Sequence, residues 1–280
     1  VSRTLLIDAD IIAYQCSASN EMNIDWGDGI TSHTADFDAA KQAARETVDH
    51  LVTKLKADDV IICLSDDFRN FRKEIVYPEY KSNRKASVRP EHLYDLKEWF
   101  GTEFKTELRP LMEADDVMGI LATEPHEGER VIVSADKDMQ TIPAPLYNPN
   151  KPELKIRRIT PEQAERFMLW QAICGDQTDG YPGLPSSGPA AAEKLLAGQG
   201  WESYSHEVRS GPRKGTAETR WRVKPMSRWA AIVSAYEKAG LSETDAVVQV
   251  NCARILKHSD MDGTRIIRWA PTMLQFEGGN

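Results

Sequence analysis

Three short apolar runs, each ending in acids, constrain this chain more than any other feature: RTLLIDAD (residues 3–10), DVIICLSDD (59–67) and ERVIVSADKD (129–138). An unbroken apolar run of this length reads as a strand buried on both faces, the habit of parallel sheets. Between the first two lies FDAAKQAARETVDHLVTKLKA, whose apolar residues recur at helical spacing. Strand, helix and strand in alternation predict an α/β fold with a mainly parallel sheet flanked by helices, and such sheets collect ligands outside the carboxyl ends of their strands. Asp8, Asp66, Asp136 and Asp138 all fall at that edge.

A further acidic group sits in LMEADDVMGI, residues 111–120. On a helix, positions 113, 116, 117 and 120 share a face, so Glu113 and Asp116 lie on the stripe of Val117 and Ile120 that should meet the core. Taken one at a time, acids after a strand are ordinary turn or cap residues. Together, Asp8, Asp66, Glu113, Asp115, Asp116, Asp136 and Asp138 need cations, because unit charges ~4 Å apart repel by about 4 kcal/mol at an effective dielectric near 20. An all-oxygen donor set without His or Cys selects Mg²⁺ or Mn²⁺ over zinc. A pair of such ions suits in-line displacement at phosphorus, which predicts phosphodiester chemistry.

The 280 residues are 41% hydrophobic and carry a net charge of -8. No run approaches the ~18 apolar residues of a membrane span, and VSRTLLIDAD shows no signal-peptide pattern, so a cytoplasmic location is expected, that of the host cell if the chain is phage-encoded. Cys16, Cys63, Cys174 and Cys252 are isolated in apolar contexts, as reduced buried thiols would be. The acidic average opposes a nucleic-acid partner, but the patterning does not. Residues 69–89 hold seven Lys/Arg against two Glu, and residues 205–229 hold seven against two, which points to a polyanion gripped at specific places.

Past residue 150 the pattern becomes mostly helical: ITPEQAERFMLWQAIC has a Thr cap and Pro at the first helical position, and WRVKPMSRWAAIVSAYEKAG and SETDAVVQVNCARILKH read as two more helices. EGGN reads as a frayed tail. The segment GDQTDGYPGLPSSGPAAAEKLL (175–196) adds Asp176 and Asp179 within a compact helical turn able to aim backbone N–H groups at phosphate.

These blocks, in this order, resemble the 5′ nucleases of the flap endonuclease superfamily, above all the 5′ to 3′ exonucleases of T-odd bacteriophages and the 5′ nuclease domain of bacterial DNA polymerase I. The resemblance runs from about residue 4 to 196 through LLIDADIIAY, CLSDDFRNFRKEIVYPEYKSNR, LMEADDVMGILA, VIVSADKDMQTI and GDQTDGYPGLPSSG. It implies a PIN-like α/β core over residues 1–158 with a helical arch at about 84–105, and a helical DNA-binding part over 159–280 carrying a helix-two-turn-helix at about 164–196. It implies two Mg²⁺ ions, with Mn²⁺ as substitute: Asp8, Asp66, Glu113 and Asp115 serve one, with Asp116 close by, and Asp136, Asp138, Asp176 and Asp179 serve the other. Lys81 and Arg84 match the basic pair that bears on the scissile phosphate. Arg72, Tyr80 and Lys85 are expected against DNA, Tyr80 by stacking on a terminal base, and the basic stretch adds Arg213, Lys214, Arg220 and Arg222. Three positions depart from the family pattern: Gly180 stands for the usual Asn, Ser186 for Gly and Ala190 for Lys.

The implied activity is a Mg²⁺-dependent 5′ to 3′ exonuclease or flap endonuclease acting on duplex DNA with a 5′ end or flap, extending to the RNA of RNA–DNA hybrids. Two rival readings stand beside it. A haloacid-dehalogenase-like phosphatase would explain LLIDADI, but it leaves the acidic helix and the basic block without a role. A non-catalytic DNA-binding module with a structural ion would not need the full acidic set.

Overall fold

The computed structural model describes residues 2–28, 30–84 and 88–276, which form two compact units. The first comprises the described residues of Val1–Phe71, Lys85–Thr160 and Ile255–Ile266; the second comprises those of Arg72–Arg84, Pro161–Arg254 and Ile267–Asn280.

In the first unit the elements run β1 (Arg3–Asp8), α1 (Ala9–Ser19), β2 (Glu21–Gly27), β3 (Ile30–Ala35), α2 (Phe37–Leu55), β4 (Asp59–Leu64), α3 (Leu93–Glu103), β5 (Thr106–Leu108), α4 (Ala114–Thr123), β6 (Glu129–Val133), β7 (Pro145–Tyr147) and β8 (Arg157–Arg158). The sheet order is β5-β4-β1-β6-β7-β8, parallel throughout except for the antiparallel β7–β8 pair. Leu5, Ile7, Ile62, Val131 and Val133 pack against α1, α2 and α3 to make one core layer. α4 lies against β1, β4 and β6. Within the range expected to arch, α3 sends Leu96 and Phe100 into this core, both fully buried.

Two features of this unit escape the sequence reading. β2 and β3 form a hairpin outside the main sheet, leaving Met22 and Trp26 exposed. Residues 255–266 return to close α4: the Leu256 N–H donates to Asp116 Oδ1 at 3.0 Å and the His258 N–H to Thr123 Oγ1 at 2.8 Å. Gly119 permits this approach, since any Cβ there would collide with the Leu256 carbonyl.

The second unit contains α5 (Pro161–Cys174), α6 (Pro189–Leu196), β9 (Gln199–Glu207), β10 (Ala217–Pro225), α7 (Arg228–Lys238) and α8 (Glu243–Ala253). Met168, Leu169, Ile173, Leu195, Ile232, Tyr236 and Val250 form its core. Four helices meet the expectation for this part, but the reading of WRVKPMSRWAAIVSAYEKAG as one helix needs correction. β9 and β10 make a nine-residue antiparallel ladder from Gln199↔Pro225 to Glu207↔Ala217, and WRVKP is its second strand rather than a helix start. The alternation of Thr219, Trp221 and Val223 with Arg220, Arg222 and Lys224 is the period-two signal of a strand. The EGGN tail lies outside the described residues.

Candidate active site

Parallel register sets the geometry. Asp8 pairs with Cys63 and Ile7 with Val133, so β4, β1 and β6 end side by side. Their acids therefore emerge along one edge at the spacing of neighbouring strands, roughly 4.8 Å.

Asp8 is the most constrained of them. It caps α1, accepting the Ile11 N–H at Oδ1, and it receives the Ser134 hydroxyl at Oδ2, 3.2 Å away. Burial, then the charge of Asp10, with Asp136 contributing, pushes its pKa from 3.8 up to about 7. Asp136 caps the 3₁₀ turn Lys137–Thr141 by accepting the Asp138 N–H at 2.8 Å, and its own N–H donates to Ser134 Oγ. Asp66 accepts from the backbone N–H groups of Phe68, Arg69 and Leu111. Burial works to raise its pKa, but these donors hold it below the usual carboxylate value.

Glu113 is the N-cap of α4 and Asp115 lies in its first turn, both half-buried. Asp116 is fully buried, and its two oxygens take the Glu113 and Leu256 N–H groups. Asp116 thus lies close by the expected ligands Glu113 and Asp115, on the first turn of the same helix. Its carboxylate closes the N-terminus of α4 onto residues 255–266.

Lys97 was not anticipated. Its ammonium, 9% exposed, lies 2.9 Å from Asp10 and 2.6 Å from Asp67. Asp10 also accepts the Ser65 N–H, and Ser65 Oγ accepts the Ala114 N–H, linking the end of β4 to α4. A signal existed in the sequence, because Lys97 shares a helical face with Leu93, Leu96 and Phe100, a cation on a core stripe. Lys97 offsets part of the charge of the inner pair, Asp10 and Asp67, which lie beside the edge that carries Asp8, Asp66, Glu113, Asp115, Asp136 and Asp138.

Among the described residues, no group of three or more His, Cys, Asp or Glu is drawn together to hold a metal ion. The carboxylates instead take backbone, serine and lysine donors, which offsets the repulsion that close approach would bring. The donor chemistry still fits a hard divalent ion: oxygen alone, with a buried carboxyl at Asp8 crowded by like charge.

In the second unit, α5, the turn 175–188 and α6 form the expected helix-turn-helix. Gly175 and Gly183, at φ +71° and +67°, lie back to back, and a side chain on either would strike the other strand of the turn. Asp176 turns the chain by accepting the Thr178 and Asp179 N–H groups. Asp179 accepts the Tyr80 hydroxyl at 2.7 Å and Arg84 at 2.8 Å, with Lys81 Nζ 3.6 Å away. The basic pair and this acid thus meet within one unit. Gly180 has φ +75°, and a Cβ there would press on the Asn83 side chain, whose amide reaches the Gln177 carbonyl. That accounts for one departure from the family pattern. Ser186, which stands for a Gly of the family pattern, has a left-handed φ of +56°.

Of the expected DNA contacts, Arg72 and Tyr80 are buried. Arg72 is 2% exposed and donates to the Cys252 and Arg254 carbonyls, so it braces this unit. Tyr80 is 3% exposed, and its ring lies near-parallel to that of Tyr181, centroids 6.5 Å apart. Arg222 and Lys224 pair with Glu202, while Arg213 and Arg220 pair with Glu218. Lys214 is exposed, and Lys85 lies outside the described residues.

A parallel sheet flanked by helices, with these acids at its strand ends, is a fold shared with solved 5′ nucleases. The chain overlays a flap endonuclease of bacteriophage T5 over 69% of its length and 74% of that chain, with TM-score 0.53 and 19% identity. The model of the 5′-3′ exonuclease N-terminal resolvase-like domain matches residues 3–163. The chain is 32% identical to the exodeoxyribonuclease of phage T3 over 95% of its length and 92% of that protein, and 32% identical to the exonuclease of phage T7 over 95% and 93%. It belongs to the 5′-3′ exonuclease family and is a 5′ nuclease. Among the described residues, no helix is long and apolar enough to cross a membrane.

Proposed function

We propose that the protein hydrolyses DNA from a 5′ end or flap with two divalent cations, Mg²⁺ in the cell. The observation that supports this most is the row of acids at the ends of β4, β1 and β6, with Asp8 unable to ionise comfortably among them. Asp8, Asp66, Glu113 and Asp115 would hold one ion. Asp136 and Asp138 would serve the other. When bound, the ions supply the charge that activates water and stabilises the leaving oxygen.

The remaining work belongs to side chains. Lys81 and Arg84 offer a phosphate two cations now held by Asp179, so a phosphodiester competes with that carboxylate for them. Positive charge placed there favours the transition state more than the ground state, because charge accumulates on the phosphoryl oxygens as the bond breaks. Ser134 and the backbone around Asp66 hold the acids in fixed orientations, which limits reorganisation during the reaction.

The test uses 5′-labelled duplex, flap and RNA–DNA hybrid substrates with Mg²⁺. Release of mononucleotides or short oligonucleotides is expected, lost in excess chelator and in Asp138→Ala. Undiminished cleavage in chelator would refute metal dependence. Turnover of p-nitrophenyl phosphate alone would point to the phosphatase reading.

A further inference from the structure

In the basic run of residues 205–229, Glu202 and Glu218 between them pair with Arg213, Arg220, Arg222 and Lys224 and offset part of its charge. A less conspicuous set of cations lies beside the acidic edge. Lys137, Lys151, Lys155 and Arg157 line a groove of about 350 Å³ in the first unit, with Asp136 as its single acid. None of these four stands out in the sequence, because they are spread over twenty-one positions, 137 to 157, and are never contiguous.

The frame that carries them is ordered. Residues 148–156 connect the antiparallel strands β7 and β8. Within that connection, Lys151, Leu154 and Lys155 close successive backbone hydrogen bonds onto Asn148, Lys151 and Pro152. Asn148 ties the segment to the end of β6 by donating its side-chain amide to the Ala135 carbonyl. Across the groove, Arg157 donates to Gln140 at 2.9 Å, which leaves its charge uncompensated. Among the described residues, Lys151 and Lys155 have no ion-pair partner. Lysines on a pre-ordered turn lose little conformational freedom on meeting an anion, and cations clustered in a groove of an otherwise acidic protein focus the field there.

We propose that this groove binds the phosphate backbone of one substrate strand as it passes Asp136. The proposal rests on the nuclease reading and adds to it a strand-binding surface within the first unit. Backbone contacts of this kind carry no base readout, so the groove would act on every sequence alike.

Neutralising phosphate-binding cations flattens the dependence of affinity on salt, by about 0.9 in slope per duplex contact and about 0.7 per single-strand contact. The experiment measures DNA affinity across a salt series, without divalent ions, for the wild type and for Lys151→Gln/Lys155→Asn; Asn suits the left-handed φ of +53° at position 155. The slope should fall by roughly 1.4 to 1.8. Arg220→Gln/Arg222→Gln should change it less, and Lys151→Arg/Lys155→Arg should restore it. Unchanged slope in the groove variant, or a larger effect in the hairpin variant, would overturn the proposal. Loss of binding in the charge-retaining variant would do the same, since it would mean that shape rather than charge matters. Failure of the wild type to bind DNA at all would instead defeat the underlying nuclease reading.

Discussion

Removing the ammonium of Lys97 would leave Asp10 and Asp67 facing one another with nothing between them. Truncating one partner of a buried ion pair typically costs 3–5 kcal/mol, and the partial exposure of both acids lowers that to roughly 2–3 kcal/mol here. Lys97→Met should lose that much in chemical denaturation and recover most of it when Asp10→Asn and Asp67→Asn are added; no recovery would show that packing, not charge, is at stake. Asp8 makes a second prediction, in pH. Its carboxyl holds a proton up to about pH 7 in the folded protein, whereas the unfolded chain releases it near 3.8. The stability this contributes is complete below 3.8 and declines as pH rises to about 7. Asp8→Asn should flatten melting temperature across that window, and Mg²⁺ should raise the wild-type value more at pH 8 than at pH 5. Equal pH profiles in both proteins would remove Asp8 from the account. At this scale the acids were legible because apolar runs ending in carboxylates are conspicuous. Ser134, Ser65 and Lys97 were not, since their value lies in contacts made across the sheet.

Elements were legible where one periodicity dominated. β1, β4 and β6 appear where their apolar runs fall, α2 lies where helical spacing was read, and α5 begins at the Pro expected at its first position. The β9–β10 hairpin was misread because its alternation is written in basic residues, so charge drew the attention that period deserved. Buried arginine misleads in the same way: Arg72 reads as a DNA contact in a basic block, yet it serves carbonyl groups at the end of α8. In the helix-turn-helix, conformation rather than composition sets the outcome. Ser186 endures a left-handed backbone, so Ser186→Gly should stabilise the fold by about 1 kcal/mol. Gly183→Ala, in the same turn, should destabilise it by more than that, because backbone from Ile173 to Gly175 fills the space. Urea titration of both variants reads the two signs, and a destabilised Ser186→Gly would mean that the hydroxyl matters more than the φ angle.

At the scale of the molecule, net charge proved a poor guide to where a polyanion is met. A value of -8 conceals a cationic groove beside the acids, while the most basic-looking segment has part of its charge offset internally. The family relationship was legible because its motifs are local. The make-up of each unit was not, because residues distant in sequence join it. The closure of α4 is a case in point. Asp116 and Gly119 are translated early, but the Leu256 N–H they await arrives some 140 residues later. A polypeptide that stops short of Leu256 would carry all the acids of the strand ends, yet the Asp116 carboxylate would lose that donor and the first turn of α4 its late-arriving clasp.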